Sequence, residues 1–261
     1  MRALNIAATG MEAQQTRVEV ISNNLANMST TAYNPRRAEF ADLHYQQIEA
    51  AGSISSTTGT LLPTGVQLGL GVRTQAVHMM VEQGSLSQTG GDLDVAIEGK
   101  GWMEILLPDG DIAYTRDGEM SRSAEGLIVN SDGFQVGEGF TIPDDIRTIS
   151  ISPDGEISVT FLDQIEPQTI GNLQLVTFPN EKGLEALGGN LFRPTAASGD
   201  PVPGDPGAEG RGTFRQGFLE SSSVDVVSEI TDLIEAQRGY EMNSKVVTAA
   251  DQMLGATVQI R

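Results

Sequence analysis

The chain has 261 residues, of which 39% are hydrophobic and 5% aromatic, and it carries a formal net charge of −19. The apolar content is thin for one large packed core, so either the cores are small or part of the apolar surface is completed by another chain. There is no cysteine, which excludes disulfides, zinc–thiolate centres and cysteine nucleophiles. A chain without cross-links also suits passage through a narrow pore in the unfolded state.

The charge is unevenly placed. Residues 1–40 hold four basic and three acidic residues, and residues 224–261 hold three basic and six acidic. The middle holds nine basic and 26 acidic. An acidic middle argues against nucleic acid, which calls for basic patches, and suits a solvated, self-repelling surface. The N-terminus has no continuous apolar stretch of signal-peptide type. No run approaches the ~20 apolar residues of a membrane span. The expectation is a soluble chain, not membrane-embedded, that leaves the cytoplasm, if it does, without a cleaved signal.

In chain order, the first element is a helix. Leu4, Met11, Val18 and Leu25 recur every seven residues, and Ala7, Gln14, Ile21 and Met28 form a second row. This 4–3 spacing predicts a helix over about 3–28 that packs on other helices. At 1.5 Å per residue it would be ~39 Å long. It runs into "ISNNLANMSTTAYNPRR", with Asn23, Asn24 and Asn27 in five residues. An amide donates and accepts at once, which suits contact between identical chains where like charges repel. Helix-end chemistry is the other reading: Asn27 tolerates a left-handed cap, and Pro35 prevents continuation.

The middle predicts β-structure. "WMEILLPDGDIAYTR", "GLIVNSDGFQVG" and "TISISPDGEISVTF" each read as strand, Asp-Gly turn, strand. "GNLQLVTF" is a further strand, and Ala197 to Gly212 reads as a flexible loop. A second long helix is expected over about 224–260, ~55 Å long. Its seam would run through Val226, Ile230, Leu233, Gln237, Tyr240, Ser244, Val247, Asp251, Leu254 and Val258. Ser222 or Ser223 could cap it, with Asp225 and Glu229 at the positive end of the helix dipole. Polar residues in both seams weaken the pair, so the helices are expected to order fully only against neighbouring copies.

Catalytic and cofactor patterns are missing. His44 and His78 are the only histidines, and no zinc-protease, nucleophile-elbow or P-loop motif occurs. "GVQLGLGVR" is not a dinucleotide fingerprint; its glycines allow close backbone approach instead. The Asp-Gly loops lie between strands, unlike a calcium loop between helices. The acidic pairs lack an aromatic-lined cleft of the kind glycoside hydrolysis uses. No catalytic residue, metal ligand or cofactor is expected.

The residues do match a known group. "VEVISNNLANMSTTAYNPRRAEFADLHYQ", "GDLDVAIEGKGWMEI", "AYTRDGEMSRSAEGLIVNSDGFQV" and "RQGFLESSSVDVVSEITDLIEAQRGYEMNSKVVTAADQML" occur in order, spread from one end of the chain to the other. The chain thereby resembles bacterial flagellar axial proteins of the rod/hook group. "YQQIEAAGSISSTTGTLLPTGVQLGLGVR" resembles the extended segment of the distal-rod branch. Ala32 stands where the group usually has Gly, Asn34 where it has Lys, Ser223 where it often has Asn, and Gly239 where it often has Ala.

The resemblance implies an α+β fold. A discontinuous, coiled-coil-like terminal helical domain (1–44 and 220–261) would join an extended β arm (45–73) and an outer, mainly β domain (74–219). It implies a structural subunit that self-assembles into a rigid hollow tube, transmitting torque and carrying an export channel. Inner-tube packing would fall to Leu4, Met11, Val18, Ile21, Leu25, Ile230, Leu233, Tyr240, Val247 and Leu254. Polar contacts between subunits would fall to Asn23, Asn24, Asn27, Gln237, Arg238 and Asn243, and the arm would use Pro63, Gly65, Gly69 and Gly71. Implied partners are further copies, proximal rod proteins, hook protein, the P-ring and L-ring proteins, the type III export apparatus and the rod cap. The implied place is the basal body, across the periplasm and peptidoglycan towards the outer membrane.

Overall fold

The computed structural model describes residues 2–50, 52, 64–143, 145–162 and 166–259, with side chains as far as residue 256. It divides into two compact units, each discontinuous in sequence. The first comprises residues 1–26, 36–79 and 225–261, and the second residues 27–35 and 80–224. These boundaries differ from the expected ones. The described arm residues group with the helices, while residues 27–35 and 220–224 group with the β-rich unit.

The first unit contains α1 (Arg2–Ala26), β1 (Arg36–Asp42), β2 (Tyr45–Glu49), β3 (Val66–Gly69), β4 (Val72–Met79) and α2 (Val226–Gln259). Neither helix contains proline, and each is rich in residues that tolerate helical backbone. The cap of α2 is Asp225, not the serines before it. Its Oδ1 accepts from Val227 N at 3.0 Å and from Ser228 N at 3.5 Å. A carboxylate here meets both free N–H groups and the positive helix end. Strands β1 and β4 pair antiparallel with Arg36 opposite Met79, and a bulge lies at Glu39/Phe40. Strands β2 and β3 form a second antiparallel ribbon with Tyr45 opposite Gly69, and all of β2 is exposed.

The second unit carries β5 (Leu86–Gln88), β6 (Val95–Glu98), β7 (Met103–Leu106), β8 (Ile112–Thr115), β9 (Met120–Arg122), β10 (Ile128–Asn130) and β11 (Gln135–Val136). It continues with β12 (Ile146–Ile151), β13 (Glu156–Phe161), β14 (Gln168–Asn172), β15 (Leu175–Thr177), β16 (Glu185–Gly188), β17 (Leu191–Arg193), β18 (Val202–Gly204), β19 (Thr213–Gln216) and β20 (Phe218–Glu220). The largest sheet runs β16-β17-β8-β7-β11-β10-β9, and β12-β13-β14 form another. All three Asp-Gly turns join antiparallel neighbours, β7–β8, β10–β11 and β12–β13. Alternating side chains of these strands bury Val95, Ile97, Met103, Ile105, Ile128, Ile157 and Leu175 in one core.

Buried polar chemistry ties this unit together. Arg116 and Glu220 are 5% and 3% exposed and meet at 2.9 Å. Arg116 also donates to the carbonyls of Gly99 and Gly101, and Glu220 Oε1 accepts from Gly84 N. Each charge is thereby bonded on several sides, as burial demands. Residues 197–212, expected as a flexible loop, are instead held: β18 pairs with β15, and Ser198 and Arg211 are buried.

The asparagine-rich segment also departs from expectation. Helix α1 ends at Ala26, two residues early, and a turn follows in which Thr30 N donates to Asn27 O. The left-handed residue is Ala32, with φ of 53°, rather than Asn27. Ala32 N donates to Glu220 O at 2.8 Å, and Ser223 N donates to Tyr33 O at 3.1 Å. Tertiary bonds on both sides of the turn set the dihedral against alanine's own preference.

Candidate assembly surface on the terminal helices

Helices α1 and α2 pack on each other through small and polar residues. Ala7, Ala13 and Ile21 of α1 and Ala236 and Ala250 of α2 are buried. Gly10 lies against Asn243, where a Cβ would come within 2.8 Å of Nδ2, and Gly239 lies against Gln14, where a Cβ would come within 3.2 Å. Bare backbone lets each amide side chain of the facing helix lie close. Arg17 donates to Asp232 at 3.0 Å and reaches Glu235 at 3.5 Å. Asn24, 1% exposed, donates to Glu229 Oε1 at 3.1 Å. It also donates to Arg36 O at 2.9 Å and accepts from Arg36 N at 2.8 Å.

The contact line on α1 is therefore 7, 10, 14, 17, 21 and 24, rotated from the expected pair of rows. Of the expected row Ala7, Gln14, Ile21 and Met28, Ala7 and Ile21 are buried and Gln14 lies against Gly239 of α2, while Met28 falls beyond the end of α1 and is exposed. The row of Leu4, Met11, Val18 and Leu25 is half-buried beside the seam. On α2 the contacts fall at 229, 232, 236, 239, 243 and 250. Leu233 and Val247 are half-buried, whereas Ile230, Tyr240 and Leu254 are exposed. Only Ile21 among the ten expected packing residues is buried within the chain. Small residues won the seam because they permit close approach, while the larger apolar rows stay outside.

Other large apolar side chains of both helices stand in solvent. Ile6 on α1 and Val227, Ile230, Ile234, Tyr240, Met242, Val246, Met253 and Leu254 on α2 are all exposed, Met253 by 65%. Val18 and Tyr240 line a groove of about 390 Å³ between the helices, together with Gln15, Glu19, Gln237 and Glu241.

The expected polar contacts divide. Asn24 is bonded inside the chain, and the half-buried Asn243 lies against Gly10. Both sit on the seam line, where amides match backbone and small residues. Asn23, Gln237 and Arg238 are exposed. Asn27 Oδ1 accepts from Thr30 Oγ1 at 3.2 Å. In the arm, Gly65 precedes β3, Gly69 faces the Tyr45 ring, and Gly71 has φ of 119° with no room for a Cβ beside Thr9 Oγ1. Pro63 lies outside the described residues.

Glu229 was absent from the sequence-based site. Burial is the largest cause pushing its pKa up; Asp232 and Asp225 add to it, while Asn24 and Arg17 oppose it. Its Oε2 is buried without a hydrogen-bond partner among the described residues. The acids at 225, 229, 232 and 235 recur on one helical face, a spacing visible in the sequence.

Comparison with known proteins finds three family descriptions along the chain. Residues 4–33 match "Flagella basal body rod protein", residues 96–159 "Flagellar hook protein FlgE/F/G D1 domain", and residues 215–260 "Flagellar basal body rod FlgEFG protein C-terminal". A flagellar basal-body rod protein FlgG of Caulobacter vibrioides is 54% identical over 261 residues, 100% of both chains. The FlgG of Agrobacterium fabrum is 48% identical over 97% of each. That of Bacillus subtilis is 35% identical over 100% of this chain and 99% of its own.

Proposed function

The chain belongs to the FlgG family of flagellar basal-body rod proteins, structural subunits of the distal rod, and on that premise we propose that it polymerises through its terminal helices into a hollow helical tube. The carrying observation is the pair of helices closed on a small, polar seam with large apolar side chains such as Val227, Ile234, Met242 and Met253 left exposed. Apolar area of that extent is stabilised by removal from water, and a repeating head-to-tail contact that does not close yields an open helical polymer.

In this reading the terminal helical domain forms the inner wall and channel, the arm stiffens the joint between copies, and the acidic β domain faces outward. The tube carries torque from motor to hook. Neighbours in the axis would be proximal rod proteins below and hook protein above, with P-ring and L-ring proteins around it. Export would proceed unfolded through the type III apparatus, without a cleaved signal, with assembly under a rod cap across the periplasm. The absence of cysteine favours that route, since no disulfide can form on the way.

Full-length Ile234→Asp and Met242→Asp test the reading, because both side chains are exposed in the single chain. Each variant should keep the parent's circular dichroism as a monomer, yet form no rods in electron micrographs and not restore motility. Normal rods from both variants would overturn the proposal.

A further inference from the structure

Glu229 sits in a setting that its neighbours make sensitive to protons. Its Oε1 is held by Asn24, which grips the Arg36 backbone at the same time. Its Oε2 is buried and has no donor among the described residues. The charged groups facing it are Arg17 from α1 and Asp225 and Asp232 from its own helix, and Arg17 is already bonded to Asp232 and Glu235. The opening turns of α2 thus set four carboxylates against one guanidinium along this seam. An ionised carboxylate oxygen left without a donor is disfavoured more than a neutral one.

We propose that Glu229 is a proton-operated latch on the α1–α2 seam: its neutral form fastens the first turns of α2 to α1, and its charged form loosens them. The sign follows from the environment. Burial and neighbouring acids raise the carboxyl's pKa in the closed seam above its ordinary value. Closure is therefore favoured most below the ordinary glutamate range. That advantage is lost as pH rises through the closed-state value, and above it closure no longer responds to Glu229. Asn24 can donate to either form, so the bond to Arg36 survives the switch and α2 loosens while the α1–β1 junction stays. The inference concerns one chain and stands whether or not the polymer is as described above.

Hydrogen exchange of the full-length monomer, followed by mass spectrometry between pH 4.5 and 7.5 and corrected for intrinsic rates, reads the latch directly. In the parent, protection of amides 228–236 should fall by about threefold or more as pH rises, since proton binding is linked to closure. Glu229→Gln should keep the parent's acid-side protection at every pH. Asp232→Asn, which leaves the Asn24 bond untouched, should shrink the pH response. An equal pH response in the parent and Glu229→Gln would overturn the proposal. So would parent protection that does not change with pH while exchange remains two-state.

Discussion

Asn24 holds Arg36 by both polar atoms of its backbone, donating to the carbonyl at 2.9 Å and accepting from the amide at 2.8 Å. The side chain thus acts as a short piece of β-ladder, fixing the start of β1 against the last turns of α1. The same amide also donates to Glu229, so one side chain joins three elements. Asn24→Leu strips partners from Arg36 and Glu229 together. It should destabilise the helical unit by about 3 kcal/mol, in line with about 1–3 kcal/mol per buried group left unpaired. Urea titration followed at 222 nm checks this; a loss below half a kcal/mol would refute the triple role.

Ala32 is held at φ of 53°, a conformation that disfavours any side chain. Ala32→Gly should stabilise the β-rich unit by about 0.5 kcal/mol, the relief of about 1–2 kcal/mol being partly offset by glycine's greater chain entropy. Ala32→Val should destabilise clearly, because a branched side chain fits that region worst. Thermal melts of the pair should move in opposite directions.

Arg116 and Glu220 form a buried pair, and Arg116 lies 6.0 Å from the ring of Trp102, the single tryptophan. Arg116→Met leaves Glu220 charged and uncompensated. It should cost about 3–5 kcal/mol. Arg116→Met with Glu220→Leu should recover part of that. Tryptophan fluorescence against urea follows both variants, and an equal loss in single and double variants would contradict the assignment.

Gly10 and Gly239 answer differently to alanine. At Gly10 the added methyl meets Asn243 within 2.8 Å, so Gly10→Ala should loosen the helix pair. At Gly239 the nearest atom is on Gln14, a longer and more adaptable side chain, at 3.2 Å. Gly239→Ala gains about 1 kcal/mol of helix propensity and should come out near neutral. Amide exchange in α2 should separate the two variants.

Tyr114 is pushed up to about 12 by burial, with Glu104 adding to it. The neutral phenol is the form the fold prefers. Its contribution is complete below the ordinary tyrosine value near ~10 and is lost as pH rises through about 12. Absorbance near 295 nm should show Tyr114 ionising late, and Tyr114→Phe should remove that late step.

Much of the fold was legible because its signals are local. The Asp-Gly turns at 109–110, 132–133 and 154–155 each join paired neighbouring strands, and the long helices announce themselves by period. The seam was harder. Periodicity shows that Leu4, Met11, Val18 and Leu25 share a face, but not whether that face meets the same chain. Gly10, Arg17 and Asn24 form an adjacent row that closes on α2, and small or polar residues give little periodic signal. Asp225 rather than Ser222 or Ser223 caps α2 because the helix begins two residues later than expected. Residues 197–212 have a loop's composition, yet the pairing of β18 with β15 and the bond from Asn180 N to Ser198 O hold them, and Arg211 donates to Pro203 O within the segment. The left-handed turn fell on Ala32 for the same reason: long-range bonds decided it.

The division into interleaved units has a mechanical corollary. The chain passes from one unit to the other after Ala26, Pro35, Met79 and Val224. Four covalent connections therefore join the helical unit to the β-rich unit, where a simple tandem arrangement would have one. A twisting load applied to one unit is divided among four peptide strands before it reaches the other, and a nick in any single strand leaves three to bear it.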